Sequence, residues 1–180
     1  DPMVLCGDGC AVKRSGRAQA PHAPGRSGFW ARGGGWVLAQ IPVLIGAVMV
    51  PSQTADSFSL IGVPAHIIGI AITVTGGIIV LAGALQLGEA LTPLPHPRDG
   101  ARLREEGIYR YMRHPIYSGL IVGSFGWALA WQSPWGIAYV VLVFLFFDRK
   151  AAREERWLRA RYPGYDGYAQ RVRKLFPGVY

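Results

Sequence analysis

The chain has 180 residues, enough for one domain and too few for two comfortable ones. Half of it, 51%, is hydrophobic and only 17% is charged, which sets it apart from ordinary soluble globular proteins. The net charge of +8 raises nucleic acid as a partner, but the placement of the basic residues accounts for it without one.

Residues 1–32, rich in Gly, Ala, Pro, Arg and Ser, read as a disordered cytoplasmic tail. Cys6 and Cys10 in "CGDGC" have no further ligands nearby, so two plain thiols are expected and no metal site. Met3, after "DP", is the expected natural start, and residues 4–35 lack the apolar core of a signal peptide. Beyond the tail, Asp, Glu, Lys and Arg are absent from Gly33 to Ala55, from Ser57 to Gly88 and from His114 to Phe147. Each stretch exceeds the roughly 20 residues that a helix needs to cross a bilayer. The first predicts a short span from Trp36 to Val50 that contains Pro42. The second predicts one from Pro64 to Leu87, with residues 57–63 as a loop. The third, from Pro115, holds 33 uncharged residues and as one helix would be about 50 Å long. It must fold back, and "WQSPWG" is the place: Gln132 and Ser133 are polar and Pro134 starts a helix well.

The Lys and Arg residues test this threading. Five precede the first span, five lie between the second and third (Arg98, Arg102, Arg104, Arg110, Arg113), and nine follow the fourth; residues 51–59 and 132–134 have none. Cytoplasmic loops carry such an excess. The expected fold is therefore an all-α integral membrane protein of about four transmembrane helices, the last two forming a hairpin. By this charge rule both termini are expected to face the cytosol, and the cytoplasmic membrane is the expected location. The expected division is a tail at 1–32, two N-terminal helices at 33–88 and a core at 89–180.

Two polar segments, Glu89 to His114 and Asp148 to Tyr180, then meet on one membrane face. Prolines 93, 95 and 97 make the first an irregular loop. The second opens with "FFDRKAAREERWLRARY", a helix continuing the fourth span, and turns back at "YPGYDGYAQRVRKLFPG". The ordered set "RHPIYSG", apolar hairpin, "REERWL", "YDGY" and "FPG" resembles the isoprenylcysteine carboxyl methyltransferase and phospholipid N-methyltransferase superfamily, over about residues 89–180. The resemblance implies S-adenosylmethionine in a cytoplasmic pocket closed by the 89–114 loop and the C-terminal segment. It also implies a lipid-like or prenylated acceptor entering from the bilayer. Arg113, His114, Pro115 and Tyr117 stand at its first cofactor motif, Glu154 and Glu155 at its double glutamate, and Tyr165, Tyr168 and Arg171 at its closing element. Tyr109 joins the cofactor-binding candidates.

The residue types suit that ligand. A sulfonium, an amine and a ribose diol need acceptors, a carboxylate needs donors, and aromatic faces attract a sulfonium. For a carboxylate acceptor, Arg171 or Arg110 is expected to orient it; for an amine or hydroxyl, His114 or a glutamate is the expected base. Plainer roles stay open. Glu155 with Arg159, and Lys150 with Glu154, are spaced for helix-surface ion pairs. Arg113 suits a topology charge, the tyrosines an interface belt, and His114 a helix cap. The alternative function is an NADPH-dependent reductase of a sterol-like or isoprenoid double bond: such enzymes resemble this chain in the hairpin but carry Arg-His-Pro-Asn-Tyr, where Ile116 stands here. A non-catalytic scaffold is a third reading. Expected partners are membrane lipids and the lipophilic acceptor, without nucleic acid.

Overall fold

The computed structural model describes residues 33–55, 62–88 and 103–180. The tail expected over 1–32, with Cys6 and Cys10, and the prolines at 93, 95 and 97 lie outside them. The described chain forms α1 (Gly34–Gln53), α2 (Gly62–Leu87), a 3-10 turn (Gly107–Arg110), α3 (Pro115–Ala130), α4 (Pro134–Arg161) and α5 (Tyr165–Arg171). Among the described residues there is no strand, only a parallel bridge between Met112 and Arg173.

Helix α1 runs past the expected end at Val50, so residues 51–53 are helical rather than loop. Pro42 and Pro51 both lie inside it. A proline forfeits one helical hydrogen bond. At Pro51 packing offsets the loss, because Pro51 is buried against Gly136, where an added Cβ would come within 2.8 Å of its ring. Helices α1 and α2 are each long and apolar enough to cross a membrane. Their outer faces expose Ile41, Ile45, Ile67, Ile78 and Leu85, a surface suited to lipid rather than water.

Helices α2 and α3 approach almost backbone to backbone. Gly69, Gly76 and Gly83 recur every seven residues, two turns, and so share one face of α2. A Cβ on Gly69 would lie 2.3 Å from Ala130 N, and one on Gly76 would lie 2.5 Å from Gly123 N. At the far end of this contact, Gly83 lies against Pro115 and Ile116 and thereby seats the start of α3.

The long uncharged run breaks where its polar residues predict. Gln132 adopts a left-handed conformation, φ 50°, and Ser133 caps α4 by accepting from Gly136 N at 2.8 Å, with Pro134 in the first turn. Helices α3 and α4 then pack on one another, and α4 continues beyond its apolar half into the charged sequence that follows Phe147. A core of Ile121, Val143, Phe147 and Leu175 joins them to the C-terminal segment. That segment lies along residues 112–114: Arg113 N donates to Arg173 O at 2.9 Å and His114 N to Lys174 O at 3.1 Å. Ser118 Oγ donates to Leu175 O at 2.6 Å.

Candidate functional site

Helix α3 begins with His114 as its N-cap residue and Pro115 in its first turn, which fixes the direction of two side chains. His114 and Tyr117, three apart, stack with ring centroids 5.5 Å apart and planes within 3°. Tyr117 stacks in turn on Phe147 of α4 at 5.0 Å. One and two turns beyond Phe147, α4 presents Lys150 and the two glutamates to the same region.

The glutamates converge on the start of α3 from about 40 residues away in sequence. Tyr117 Oη donates to Glu154 Oε1 at 2.5 Å, and His114 Nδ1 lies 3.6 Å from Glu154 Oε2. On its other side His114 Nε2 lies 3.3 Å from Glu155 Oε1, which also accepts from Arg113 Nε at 2.9 Å. One imidazole thus stands between two carboxylates. Arg159 reaches the other oxygen of Glu155 at 3.4 Å, so the helix-surface pair exists, but Glu155 is only 5% exposed and its main partners come from across the fold.

The two carboxyls differ in acidity. Burial raises Glu155, but hydrogen bonds and charge from His114 and Arg113 outweigh it and bring the group down to about 2. At Glu154 burial wins, and its pKa stands above the usual glutamate range in spite of His114, Tyr117 and Lys150.

Glu154, His114, Tyr117, Arg113 and Tyr109 face a cavity of about 370 Å³, which apolar side chains such as Ile116, Leu120 and Leu158 complete. That is within the range of roughly 300–1,000 Å³ common for small-molecule sites. Pro115 also borders it. Tyr109 Oη donates to Gly83 O at 3.2 Å, and Tyr168 Oη to Tyr109 O at 2.6 Å, tying α2, the 3-10 turn and α5 together. Tyr165 and Tyr168, which the resemblance marks for the cofactor, are buried but do not line this cavity. Burial raises the pKa of Tyr109, Tyr165 and Tyr168, so all three remain neutral phenols. Among the described residues Tyr165 Oη is buried without a hydrogen-bond partner.

Two of the residues singled out for orienting an acceptor lie elsewhere. Arg110 is exposed and sits over the Tyr111 ring; Arg171 is exposed and pairs with Glu105 at 3.0 Å. Arg113 faces the cavity, but its Nη1 donates to Ala169 O at 2.8 Å and to Val172 O, clamping the end of α5. Sequence reasoning missed Lys150 and Gln40 as parts of the site. Both line the cavity, and Lys150 Nζ donates to Gln40 Oε1 at 2.5 Å, joining α4 to α1. Signals for both exist: Lys150 shares a helix face with Glu154, and Gln40 is a polar residue inside an apolar span.

A family model described as phospholipid methyltransferase matches residues 64–164, more than half of the chain, covering α2 from Pro64, all of α3 and α4, and the turn before α5. A protein of Oryza sativa subsp. indica, "Probable protein-S-isoprenylcysteine O-methyltransferase", is 29% identical over 116 residues, covering 62% of this chain and 61% of that protein. "Protein-S-isoprenylcysteine O-methyltransferase B" of Arabidopsis thaliana is 33% identical over 115 residues, covering 62% of this chain and 58% of its own length. The chain spans about three fifths of the length of these curated relatives. Its helical architecture and apolar spans agree with that match, and the chain belongs to the phospholipid methyltransferase family, within the membrane methyltransferase superfamily that includes the isoprenylcysteine carboxyl methyltransferases.

Proposed function

We propose that this chain is an S-adenosylmethionine-dependent membrane methyltransferase acting on an oxygen of a prenylated, lipid-like acceptor. The observation that carries the reading is the meeting of Glu154, His114, Tyr117 and Arg113 at one wall of the cavity, with Glu155 bonded to His114 and Arg113 from outside that lining. Unrelated surface ion pairs would not bring both carboxylates onto one buried imidazole. The names of the relatives supply the acceptor class, and the free oxygens of a C-terminal S-isoprenylcysteine are those of its carboxylate.

The donor set fits the cofactor. Glu154 offers an acceptor for positive groups, the stacked His114 and Tyr117 rings offer aromatic faces, and Tyr165 Oη is a buried hydroxyl with bonding capacity unspent among the described residues. When bound, S-adenosylmethionine supplies a methyl group made transferable by its sulfonium. The protein's part is to hold and align. Glu155 keeps its charge and fixes His114 and Arg113; Arg113 in turn clamps the end of α5; the segment after α5 covers the start of α3 and limits water.

In this reading α1, α2, α3 and residues 134–147 are four spans, the last two forming a hairpin, and residues 33–88 and 89–180 are the entry helices and the catalytic core. The site and both termini face the cytosol, and the acceptor arrives sideways from the bilayer. Calorimetric titration of detergent-purified protein with S-adenosylhomocysteine, and separately with NADPH, tests the cofactor. Saturable binding of the first and none of the second is expected, and Glu155→Ala loses that binding while still inserting. NADPH binding alone would move the chain to the reductases; binding of neither would leave a non-catalytic scaffold.

A further inference from the structure

Methylation of a carboxylate forms an ester and moves no proton, so the acceptor needs a counter-charge rather than a base. In a site shielded from water that counter-charge has to be built in. Several cations near the cavity are committed or turned away. Arg110 and Arg171 are exposed, and Arg171 is paired with Glu105. Arg113 holds Glu155 and two carbonyls of α5 and its end, and Lys174 is bonded to Asp148.

Lys150 has partners as well, Gln40 among them, and differs from the others in its place. It is 2% exposed yet lines the cavity, three residues past Phe147, where the uncharged run ends. Its Nζ is 5.2 Å from the centroid of the Tyr117 ring, the same ring whose hydroxyl bonds Glu154. Burial lowers the pKa of Lys150, and the charge of Glu154, one turn further along α4, acts against that shift. Gln40 on α1 accepts from it and is neutral, so an anion arriving beside Gln40 adds a charge-assisted bond to that contact. The position also matches an amphiphile. Toward Leu120 and Phe147 the surroundings are apolar; toward His114 and Glu154 they are polar.

We infer that Lys150, supported by Gln40, is the acceptor-binding residue that recognises the carboxylate end of the lipid-like acceptor. It holds that carboxylate in the cavity shared with Glu154, His114 and Tyr117. The inference rests on the methyltransferase reading proposed above and adds the group that selects an anionic acceptor.

The test uses the full chain in detergent, with N-acetyl-S-farnesylcysteine and its carboxamide as probes. Loss of one charge-assisted contact corresponds to about a tenfold change in affinity. Wild-type protein is expected to bind the carboxylate about tenfold more tightly than the carboxamide. In Lys150→Met the preference disappears and KM for the carboxylate rises about tenfold, while S-adenosylhomocysteine affinity stays within about threefold. Lys150→Arg restores most of the preference. Wild-type protein that binds both probes alike, or Lys150→Met protein that keeps the preference, overturns the assignment and leaves the cofactor reading standing. Wild-type protein that does not bind S-adenosylhomocysteine overturns the proposed function and this inference with it. If Lys150→Met does not fold, the wild-type preference and the Lys150→Arg variant decide by the same criteria.

Discussion

Glu154 and Glu155 are neighbours on α4 but meet different partners, and their protonation separates accordingly. Glu155 falls to about 2 in the folded protein because His114 and Arg113 outweigh the burial that opposes its charge. A carboxyl depressed by that much from its ordinary 4.5 stabilises the fold by about 3 kcal/mol. The sign follows from the direction of the shift: the contribution is complete above the unfolded value and is lost as pH falls from there through about 2. Thermal unfolding in detergent should therefore show Glu155→Gln less stable than wild type near neutrality. The gap should close by more than half between about pH 6 and about pH 3. A gap that stays constant over that range would mean that Glu155 is not held charged by these partners. At this scale most of the motif residues gather in one place as their order implies, whereas the isolated charges do not join them. Arg113, His114, Tyr117 and Glu154 reach one cavity, as their ordered motifs imply. Arg110 and Arg171 face solvent because single positions in a 3-10 turn and a seven-residue helix have no periodic pattern to fix their direction. Lys150 stood four residues before Glu154 and read as half of a helix-surface ion pair, although the same spacing put both on the cavity face.

The helices were legible from uncharged length and from the polar break at Gln132 to Pro134. Their mutual packing was not. The α2 and α3 contact depends on glycines that matter for what they lack, and hydropathy gives them little weight. Gly76 meets the backbone of Gly119 and Gly123, which cannot swing aside as a side chain can. Gly77, its neighbour, has nothing within 4 Å of an added Cβ. Gly76→Val should thus push the helices apart at a cost of about 1–3 kcal/mol, and Gly77→Val should cost little. Because Gly83 seats Pro115 and its carbonyl accepts from Tyr109, the same displacement should also weaken S-adenosylhomocysteine binding. Melting temperature and cofactor affinity, measured on both variants, check this; equal effects of the two substitutions would contradict close packing on the Gly76 face.

Four helix ends meet on one side of the molecule and the chemistry gathers on the other. Thr54 after α1 bonds Ser133 before α4 at 2.7 Å, His66 near the start of α2 lies 3.0 Å from Ala130 O, and Gln132 donates to Gly62 O at 3.2 Å. At the opposite end, Gln86 of α2 accepts from Ile108 N at 2.8 Å, beside the cavity and the start of α3. Helix α3 has 16 residues, about 24 Å, slightly less than a ~30 Å core, and Trp127 and Trp131 close its end as interfacial aromatics do. Among the described residues the Lys and Arg all lie toward the cavity end or beyond it, and residues 51–59 and 132–134 of the sequence hold none. In the function proposed above, the charge rule predicts an alternating topology with that end in the cytosol. Single cysteines in a chain with Cys6 and Cys10 replaced by Ser measure it directly. Gln53→Cys and Trp135→Cys should react with a membrane-impermeant maleimide on intact cells. Glu106→Cys and Arg156→Cys, both exposed at the cavity end, should react only after permeabilisation. Labelling of Glu106→Cys and Arg156→Cys from outside would invert the orientation and put the acceptor's carboxylate on the wrong face for a cytosolic cofactor. Labelling of all four from one side would mean that these helices lie on the membrane rather than across it.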